Sequence, residues 1–292
     1  MVFNYAENDP TKQFGTEIMG QRWKELVLSK APKLADYNWW IVPGIHAYDG
    51  RPTIVWTHVE HTNPFHQDLD YWYSMINQFV FVSHWQMRQY VEKLDIEESK
   101  CTVIKNAIDP IPSHVKPSTD IINIYYNSEE HRGLPLVISA LGMIDDPNIK
   151  LHIYRDVVDT PVPEDPRIIL HGKVSNEEMK KELEKMHIFA YPSLFPEVSC
   201  ISLLEAMSAG CYCVHSNYGA LPETAMSLTH MYNYNKNPYI HFETFVQELK
   251  KGIDNVRSGW DSSIQIQAVN KAYSWDTRVS EWLSFAQKIG AK

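Results

Sequence analysis

Two glutamates flank a turn from a strand to a helix, in the segment 191–210. Glu197 lies in the turn and Glu205 inside the helix, with seven residues between them. A carboxylate beside a helix N-terminus is held ionised by the nearby N–H groups. Glu197 can therefore accept hydrogen bonds from sugar hydroxyls, and Glu205 from a ribose. The alternative is that both are exposed acids at the start of a helix.

The same helix start offers backbone donors for an anion, from Ser199, Cys200 and Ile201. Over its 292 residues the chain has 36 acidic and 27 basic side chains, a net charge of −9. This balance argues against a nucleic-acid binder, which needs clustered Lys and Arg. The fingerprints GxGxxG and GxxxxGK[ST] are absent from the sequence. A phosphate site would therefore combine a few specific side chains with backbone N–H groups.

Short apolar runs alternate with helical periodicities along the chain, which predicts βαβ units and parallel sheets. Ser175 and Glu178 predict a capping box at one helix start. Three prolines within residues 109–118 mark a linker. We therefore predict domains at 1–112 and 113–274, with a terminal helix at 275–292 packing back toward the first. The predicted strands are Asn38–Pro43, Thr53–His58, Phe79–Ser83, Thr102–Ala107, Asp120–Tyr126, Lys150–Val157, Ile168–Val174, His187–Ser193 and Cys211–Ser216.

The four cysteines form no CxxC and no zinc spacing, which indicates reduced, buried thiols. The first ten residues do not resemble a signal peptide, and no window is apolar enough for a membrane span. We therefore expect a cytoplasmic protein without an integral membrane segment. Peripheral membrane contact and the oligomeric state stay open.

The 191–210 segment resembles the E-x7-E signature of retaining glycosyltransferases of family 4, including its Leu-Glu-Ala-Met-Ser-Ala-Gly continuation. Other blocks resemble the same family in the right order along residues 14–285. They are Val82–Gln86, Val103–Ala107, Tyr125–Leu134, Leu170–Ser175, Val214–Glu223 and Tyr273–Asp276.

The resemblance implies a GT-B architecture: an α/β fold of two Rossmann-like domains that face one another across a cleft. It also implies a nucleotide diphosphate-sugar donor, UDP-sugar or GDP-sugar, with retention of the anomeric configuration. No cofactor and no catalytic metal are expected. The acceptor would be a hydroxyl of a glycan, a lipid-linked sugar or a small molecule.

The resemblance also implies roles for individual residues. Arg132 would pair with the donor diphosphate, which suits a group that is always charged and offers several donors. Glu205 would bind the ribose and Glu197 the transferred sugar. The remaining implied donor contacts are the backbone at Gly172, Lys173 and Val174 for the base, Gly15 and Thr16 as a glycine-containing turn of the first domain, and Ser199, Cys200 and Ile201. For Arg132, a solvated surface charge is the alternative.

This chain departs from the family pattern at three points. Asn127 stands where the family usually has Arg or Lys, so one diphosphate cation is missing, and Ser128 compensates weakly. The glycine turn has one glycine instead of two. The first domain is also short, which removes material that normally shapes the acceptor site.

His58 falls at the end of a predicted strand, where the family often has a histidine that contacts the donor sugar or the acceptor. We therefore count it with Arg132 and Glu197 as a catalytic candidate. A zinc site from His58, His61 and His66 is a competing interpretation, although the spacing is not that of HExxH. A histidine simply packed at a strand end is another.

The predicted activity is thus metal-independent glycosyl transfer. An epimerase or phosphorylase of the same architecture is a rival among enzymes, although no lysine is singled out for pyridoxal phosphate. Outside enzymes, the rival is a non-catalytic or weakly active nucleotide-sugar-binding module, favoured by Asn127 and the short first domain.

Overall fold

The computed structural model of the chain describes residues 15–40, 48–63 and 69–291. Its packing divides the chain into two compact units, one of residues 1–107 with 273–292 and the other of residues 108–272. The first division falls slightly before the predicted boundary at 112/113. Ile111 shows why, because it is buried and its backbone N–H donates to Ser208 Oγ at 2.9 Å. The proline-rich linker is therefore fixed to the second unit.

Strands and helices alternate in both units. In the described part of the chain, the strands are β1 Asn38–Trp40, β2 Thr53–Thr57, β3 Ile76–Phe81, β4 Cys101–Val103, β5 Ile122–Tyr126, β6 Ile149–Ile153, β7 Ile168–Leu170, β8 Ile188–Tyr191, β9 Tyr212–Ser216 and β10 His230–Tyr232. The α-helices are α1 Gly15–Trp23, α2 Leu69–Tyr73, α3 His84–Leu94, α4 Leu134–Gly142, α5 Asn176–Leu183, α6 Ile201–Ser208, α7 Leu221–Ala225, α8 Pro238–Arg257, α9 Ser263–Ala272 and α10 Trp275–Lys288.

The first unit contains a parallel sheet in the order β1-β2-β3-β4. Every residue of β2 is buried, as expected of a strand covered on both faces. Helix α10 completes the core of this unit through Trp282. Its ring centroid lies 5.6 Å from that of Trp23, 5.8 Å from that of Trp39 and 5.1 Å from that of Trp56. The last helix thus belongs to the first unit.

The second unit contains a parallel sheet in the order β10-β9-β8-β5-β6-β7. From β5 the chain first builds outward to β6 and β7, and then returns to build β8, β9 and β10 on the other side. This is the Rossmann arrangement, and its strand order reverses between β5 and β8. Ligands of such sheets bind beyond the carboxyl ends of the strands at this reversal. The loops after β5 and β8 are therefore expected to carry the site.

The predicted α/β class with two parallel sheets is confirmed, whereas a cleft between the units stays a prediction. The capping box is also present, because Ser175 Oγ accepts from the Glu178 N–H at 3.2 Å and the Glu178 carboxylate accepts from the Ser175 N–H at 3.0 Å. Among the described residues, no helix is both long and apolar enough to cross a membrane.

Three sequence-based predictions are wrong or incomplete. The helical spacing of Leu69, Trp72, Tyr73 and Ile76 in the sequence predicts one helix. Ile76 instead begins β3, where it pairs in register with Thr53 of β2. Strand pairing here overrides a helical spacing of apolar residues. Strand β6 ends at Ile153, so Arg155 lies in a loop and not in a strand. The sequence pattern also does not reveal β10, α7, α8 and α9.

Candidate functional site

The loops after β5 and β8 touch at Gly133. This glycine has a φ of +129°, and a Cβ built on it would lie 2.7 Å from the carbonyl oxygen of Pro192. The next contact is a hydrogen bond from the Leu194 N–H to the Arg132 carbonyl at 3.3 Å. Only glycine allows this close approach, which brings Arg132 and Glu197 onto adjoining loops.

The side chains of Arg132 and Glu197 form an ion pair at this junction. Arg132 Nη1 donates to Glu197 Oε1 at 2.7 Å, and the hydroxyl of Tyr191 donates to the same oxygen. The Glu197 side chain is 3% exposed and that of Arg132 is 29% exposed. A nearly buried carboxylate thus receives two donors, while its cationic partner still reaches solvent.

The local charges keep these groups in defined protonation states. Burial lowers the pKa of Arg132, but Glu197 and Tyr191 together outweigh this effect and the pKa is raised overall. Burial, with a further contribution from Glu197, raises the pKa of Tyr191 well above its ordinary value. Arg132 is therefore a permanent cation, and the Tyr191 hydroxyl is a neutral donor.

Arg132 also has donor capacity to spare. Its guanidinium carbon lies 4.6 Å from the centre of the Phe195 ring, which supports it from one side. Its Nε is buried and has no hydrogen-bond partner among the described residues. A guanidinium held in this way at a strand-to-helix turn suits an anionic ligand such as a diphosphate.

A third loop, after β9, fixes the backbone of Glu197. Gly219 has a φ of +69°, and a Cβ there would lie 2.5 Å from both the backbone N and O of Glu197. The N–H of the next residue, Ala220, donates to the Glu197 carbonyl at 2.6 Å. In the sequence this glycine belongs to one of the family-like blocks, but the pattern alone assigns it no role.

The other residues proposed near the diphosphate lie on the same loops. Ser128 Oγ is 3.3 Å from the Tyr191 hydroxyl, and Asn127 Oδ1 is buried with no hydrogen-bond partner in the described part of the chain. Helix α6 begins at Ile201, after Ser199 and the buried Cys200. Burial raises the pKa of the Cys200 thiol, which stays protonated and offers no nucleophile at neutral pH.

Glu205 lies in the second turn of α6. The residue is half-buried, and burial raises the pKa of its carboxyl group to about 7. Lys180 opposes the shift and Asp109 adds to it, and these two side chains form their own ion pair at 3.1 Å. A carboxyl group with this pKa is only partly ionised at neutral pH.

The residues proposed to meet the base lie after β7. Gly172 has a φ of +68°, and the Lys173 N–H donates to Asp156 Oδ1 at 3.3 Å. Val174 follows and leads to the capping box of α5. Next to them, the ring of His171 stacks on Tyr154 at 4.2 Å. This loop belongs to the same sheet edge, two strands away from the loop after β5.

The remaining candidates belong to the first unit. His58 follows β2, and its ring lies 4.9 Å from Trp56. Burial lowers its pKa to about 3, and its Nε2 has no hydrogen-bond partner among the described residues. Gly15 and Thr16, which the resemblance places in a turn, form the start of α1, and the residues before them lie outside the described part of the chain. Of the three histidines of the zinc alternative, His66 also lies outside them.

The sequence pattern does not single out Tyr191, whose hydroxyl donates to Glu197, or Arg155, whose guanidinium donates to the loop after β5. A signal for Tyr191 exists, since it lies in a predicted strand that leads directly to the turn of Glu197. For Arg155 there is none, because the predicted strand Lys150–Val157 runs past it.

Residues 124–249 match the family model described as Glycosyl transferases group 1. The match begins in β5 and ends in α8, so it includes Arg132, Glu197 and Glu205. The matched range lies entirely within the second unit.

A curated relative and two solved structures extend this finding. Over 163 residues the chain is 29% identical to a phosphatidylinositol N-acetylglucosaminyltransferase subunit of Arabidopsis thaliana, a match that covers 51% of this chain and 36% of that protein. A glycosyltransferase from Rickettsia africae ESF-5 superposes with a TM-score of 0.65 at 15% identity, covering 99% of this chain and 84% of that one. Anabaena HepE in complex with UDP-glucose gives a TM-score of 0.59 at 12% identity, covering 82% and 72%.

At these identities the structures show the fold alone, which is the GT-B fold of glycosyltransferases. The chain spans little more than a third of the length of the curated relative.

Proposed function

We propose that this chain is a retaining glycosyltransferase that moves a sugar from a UDP-sugar to a hydroxyl acceptor. The observation that carries the proposal is the Arg132–Glu197 pair at the reversal of the second sheet. UDP is preferred over GDP because a structure of the same fold contains UDP-glucose. For the acceptor, the name of the Arabidopsis relative favours a hydroxyl of a phosphatidylinositol lipid.

Arg132 would stabilise the departing diphosphate. Its guanidinium is charged and partly exposed, and in this position it would offset the negative charge that develops as the glycosidic bond breaks. The N-terminal end of α6 would add backbone N–H groups and the positive end of the helix dipole. We propose that these groups together neutralise enough of the diphosphate charge for the reaction to need no divalent metal.

Glu197 would orient the transferred sugar. Arg132 and Tyr191 hold its carboxylate in one orientation, in which it would accept from a sugar hydroxyl. Gly219 and Ala220 fix the backbone of Glu197, which limits how far the carboxylate can move. Orientation of this kind lowers the entropy cost of the reaction. His58 would contact the sugar or the acceptor as a neutral imidazole.

The proposal is tested by titrating the protein with UDP and with GDP in excess chelator, using calorimetry. UDP should bind without added metal, and Arg132→Gln should weaken its binding by about 10- to 150-fold, the value of a charged hydrogen bond. The matched control is Arg167→Gln, which removes another arginine of the second unit, paired with Asp165 at 2.7 Å. Failure of the wild type to bind either nucleotide would overturn the proposal.

Turnover separates the enzyme from the non-catalytic module. Release of UDP from UDP-glucose and UDP-N-acetylglucosamine should be detectable with purified protein and should be lost in Glu197→Gln. Asn127 is the observation that favours the module, because it leaves the loop after β5 one cation short of the family pattern. UDP binding with no release from any UDP-sugar would support the module over the enzyme.

A further inference from the structure

We propose that Arg155 is a positioning residue, which holds the loop of residues 127–132 so that Arg132 meets the donor diphosphate. This inference rests on the proposed function, because the diphosphate is the ligand for which Arg132 would be held. Nothing in the sequence pattern singles out Arg155.

The guanidinium of Arg155 is committed to the neighbouring loop. It follows β6, and its Nη1 donates to the Ser128 carbonyl at 2.7 Å while its Nη2 pairs with the Glu129 carboxylate at 2.8 Å. Its Nε donates to the Asp156 carbonyl at 3.0 Å. The Arg155 side chain is 18% exposed. Three bonds at this exposure describe a side chain fixed in one orientation.

A second side chain connects the same two loops in the opposite direction. The carboxylate of Glu130 accepts from the backbone N–H groups of Val158 at 2.8 Å, Asp159 at 3.2 Å and Thr160 at 2.7 Å. Arg155 reaches from the loop after β6 to the loop after β5, and Glu130 reaches back. The two loops are thus joined by a reciprocal clamp, defined here as Arg155 and Glu130 with their partners.

The clamp acts directly before Arg132. Residues Glu130–Arg132 form a single 3₁₀ turn, in which the Arg132 N–H donates to the Glu129 carbonyl at 3.0 Å. A turn of three residues has too few internal hydrogen bonds to persist without outside contacts. The Tyr126 hydroxyl supports it at the Glu129 carbonyl, at 2.7 Å, and Arg155 supports the residues just before it. Loss of Arg155 should therefore loosen the backbone that presents the Arg132 guanidinium.

Because Asn127 is neutral, diphosphate binding depends more strongly on the support that Arg155 gives to the loop of Arg132. Asn127 brings no charge to the loop, so the diphosphate depends more strongly on how well Arg132 is placed. Preorganised groups bind more tightly because less ordering is needed when the ligand arrives. The expected signature of Arg155 is thus an effect on diphosphate binding with no effect on the nucleoside.

The test compares Arg155→Gln with the wild type, using UDP and uridine as probes. UDP affinity should fall by about 3- to 30-fold, the range of couplings through a packed network. Uridine affinity should stay unchanged, because uridine lacks the diphosphate. Arg155→Lys should recover part of the loss, since an ammonium can reach one of the two partners. The control Arg167→Gln should leave UDP affinity unchanged. Equal losses for UDP and uridine would overturn the proposal.

Salt dependence distinguishes positioning from direct contact. If Arg155 touched the diphosphate, Arg155→Gln would flatten the dependence of UDP affinity on salt concentration. A positioning residue leaves that dependence unchanged while the affinity falls. A flattened dependence would therefore overturn the assignment as a positioning residue.

Amide hydrogen exchange of the free protein separates this proposal from the proposed function. Arg155→Gln should speed exchange at residues 128–133 by at least about tenfold relative to Arg167→Gln, because the backbone hydrogen bonds of the 3₁₀ turn then open locally. Unchanged exchange and unchanged UDP affinity would overturn the clamp and leave the function standing. If Arg155→Gln exchanged faster but the wild type bound no nucleotide, the clamp would be supported only as a device that holds the loop. The missing nucleotide binding would overturn both the proposed function and the role of Arg155 toward a diphosphate.

Discussion

Arg132 and Glu197 lie 65 positions apart in the sequence, yet their side chains meet at 2.7 Å at the carboxyl edge of the second sheet. The residue proposed for the diphosphate is thus paired with the residue proposed for the sugar. Because the Glu197 carboxylate is buried, its charge depends on Arg132 for compensation. The nucleotide-sugar must therefore bind to N–H groups of Arg132 that do not already donate to Glu197.

This dependence predicts an asymmetry between single and double variants. Arg132→Ala removes the cation that is paired with a buried carboxylate and should lower the free energy of unfolding by about 3 kcal/mol. Adding Glu197→Gln replaces that buried carboxylate by a neutral amide and should recover at least about 1 kcal/mol. The measurement is urea unfolding of the three proteins at pH 7. A double variant less stable than Arg132→Ala would contradict the pairing.

Gly219 gives a prediction with a matched control in the same unit. Gly219 and Gly259 both have left-handed φ values, of +69° and +85°, but a Cβ clashes only at Gly219, while nothing lies within 4 Å of one at Gly259. Both Gly→Ala variants should lose about 1–2 kcal/mol from backbone strain. Gly219→Ala should in addition lose transfer, because the backbone of Glu197 must shift.

The comparison is made by thermal unfolding and by UDP release from a UDP-sugar. If Gly259→Ala lost as much transfer as Gly219→Ala, the clash at Glu197 would not be the cause.

The class of fold could be predicted from the sequence because strand and helix periodicities are local. The loops that carry Arg132 and Glu197 could also be predicted, since family-like motifs lie at strand ends. The pairing of these two side chains could not, because it depends on the neighbouring positions of β5 and β8. Nor could the shift at Glu205, because burial of a carboxylate depends on α5 and α6 packing together.

There are also physical reasons why some elements could not be predicted from the sequence. β10 has only two consecutive apolar residues, Met231 and Tyr232, so no apolar run marks it as a strand. Arg155 was missed because the predicted strand extends four residues beyond Ile153, where β6 ends. The ends of elements depend on tertiary hydrogen bonds, and functional side chains are concentrated at those ends.

His58 is predicted to act as a neutral side chain. Its pKa of about 3 lies far below the ordinary value of 6.5, because burial disfavours the charged form. His58→Ala should lower kcat and kcat/KM together and leave UDP affinity unchanged, as for an interaction made only in the reacting complex. Normal transfer by a folded His58→Ala protein would remove it from the catalytic candidates.

The same pKa predicts how His58 affects stability with pH. Since the folded-state pKa is depressed, the contribution is present above about pH 6.5 and is lost as the pH falls toward 3. The stability difference between the wild type and His58→Ala should therefore shrink between pH 8 and pH 5. Thermal unfolding at pH 8 and at pH 5 measures this stability difference.

The zinc alternative predicts a different result: metal analysis of the wild type would find a stoichiometric ion, and His61→Ala would lose it.

Glu205 predicts a pH dependence of ribose binding. Burial raises its pKa to about 7, so the folded protein holds a proton that the unfolded chain releases near pH 4.5. Its stabilising contribution is thus complete below about pH 4.5 and is lost as the pH rises through 7. Hydroxyl donors of a ribose favour the ionised form. Nucleoside binding should therefore strengthen as the pH rises, by at most about tenfold per unit below the pKa, and level off above it.

Uridine is the appropriate probe, because it carries the ribose hydroxyls and has no phosphate that titrates in this range. Its affinity should rise between pH 6 and pH 8 in the wild type and stay flat in Glu205→Gln. Lys180→Gln should move the rise to higher pH, because Lys180 is the cation that lowers the pKa of Glu205. Chemical-shift titrations with uridine at three pH values give all three curves. A rise that persists in Glu205→Gln would mean that another group binds the ribose.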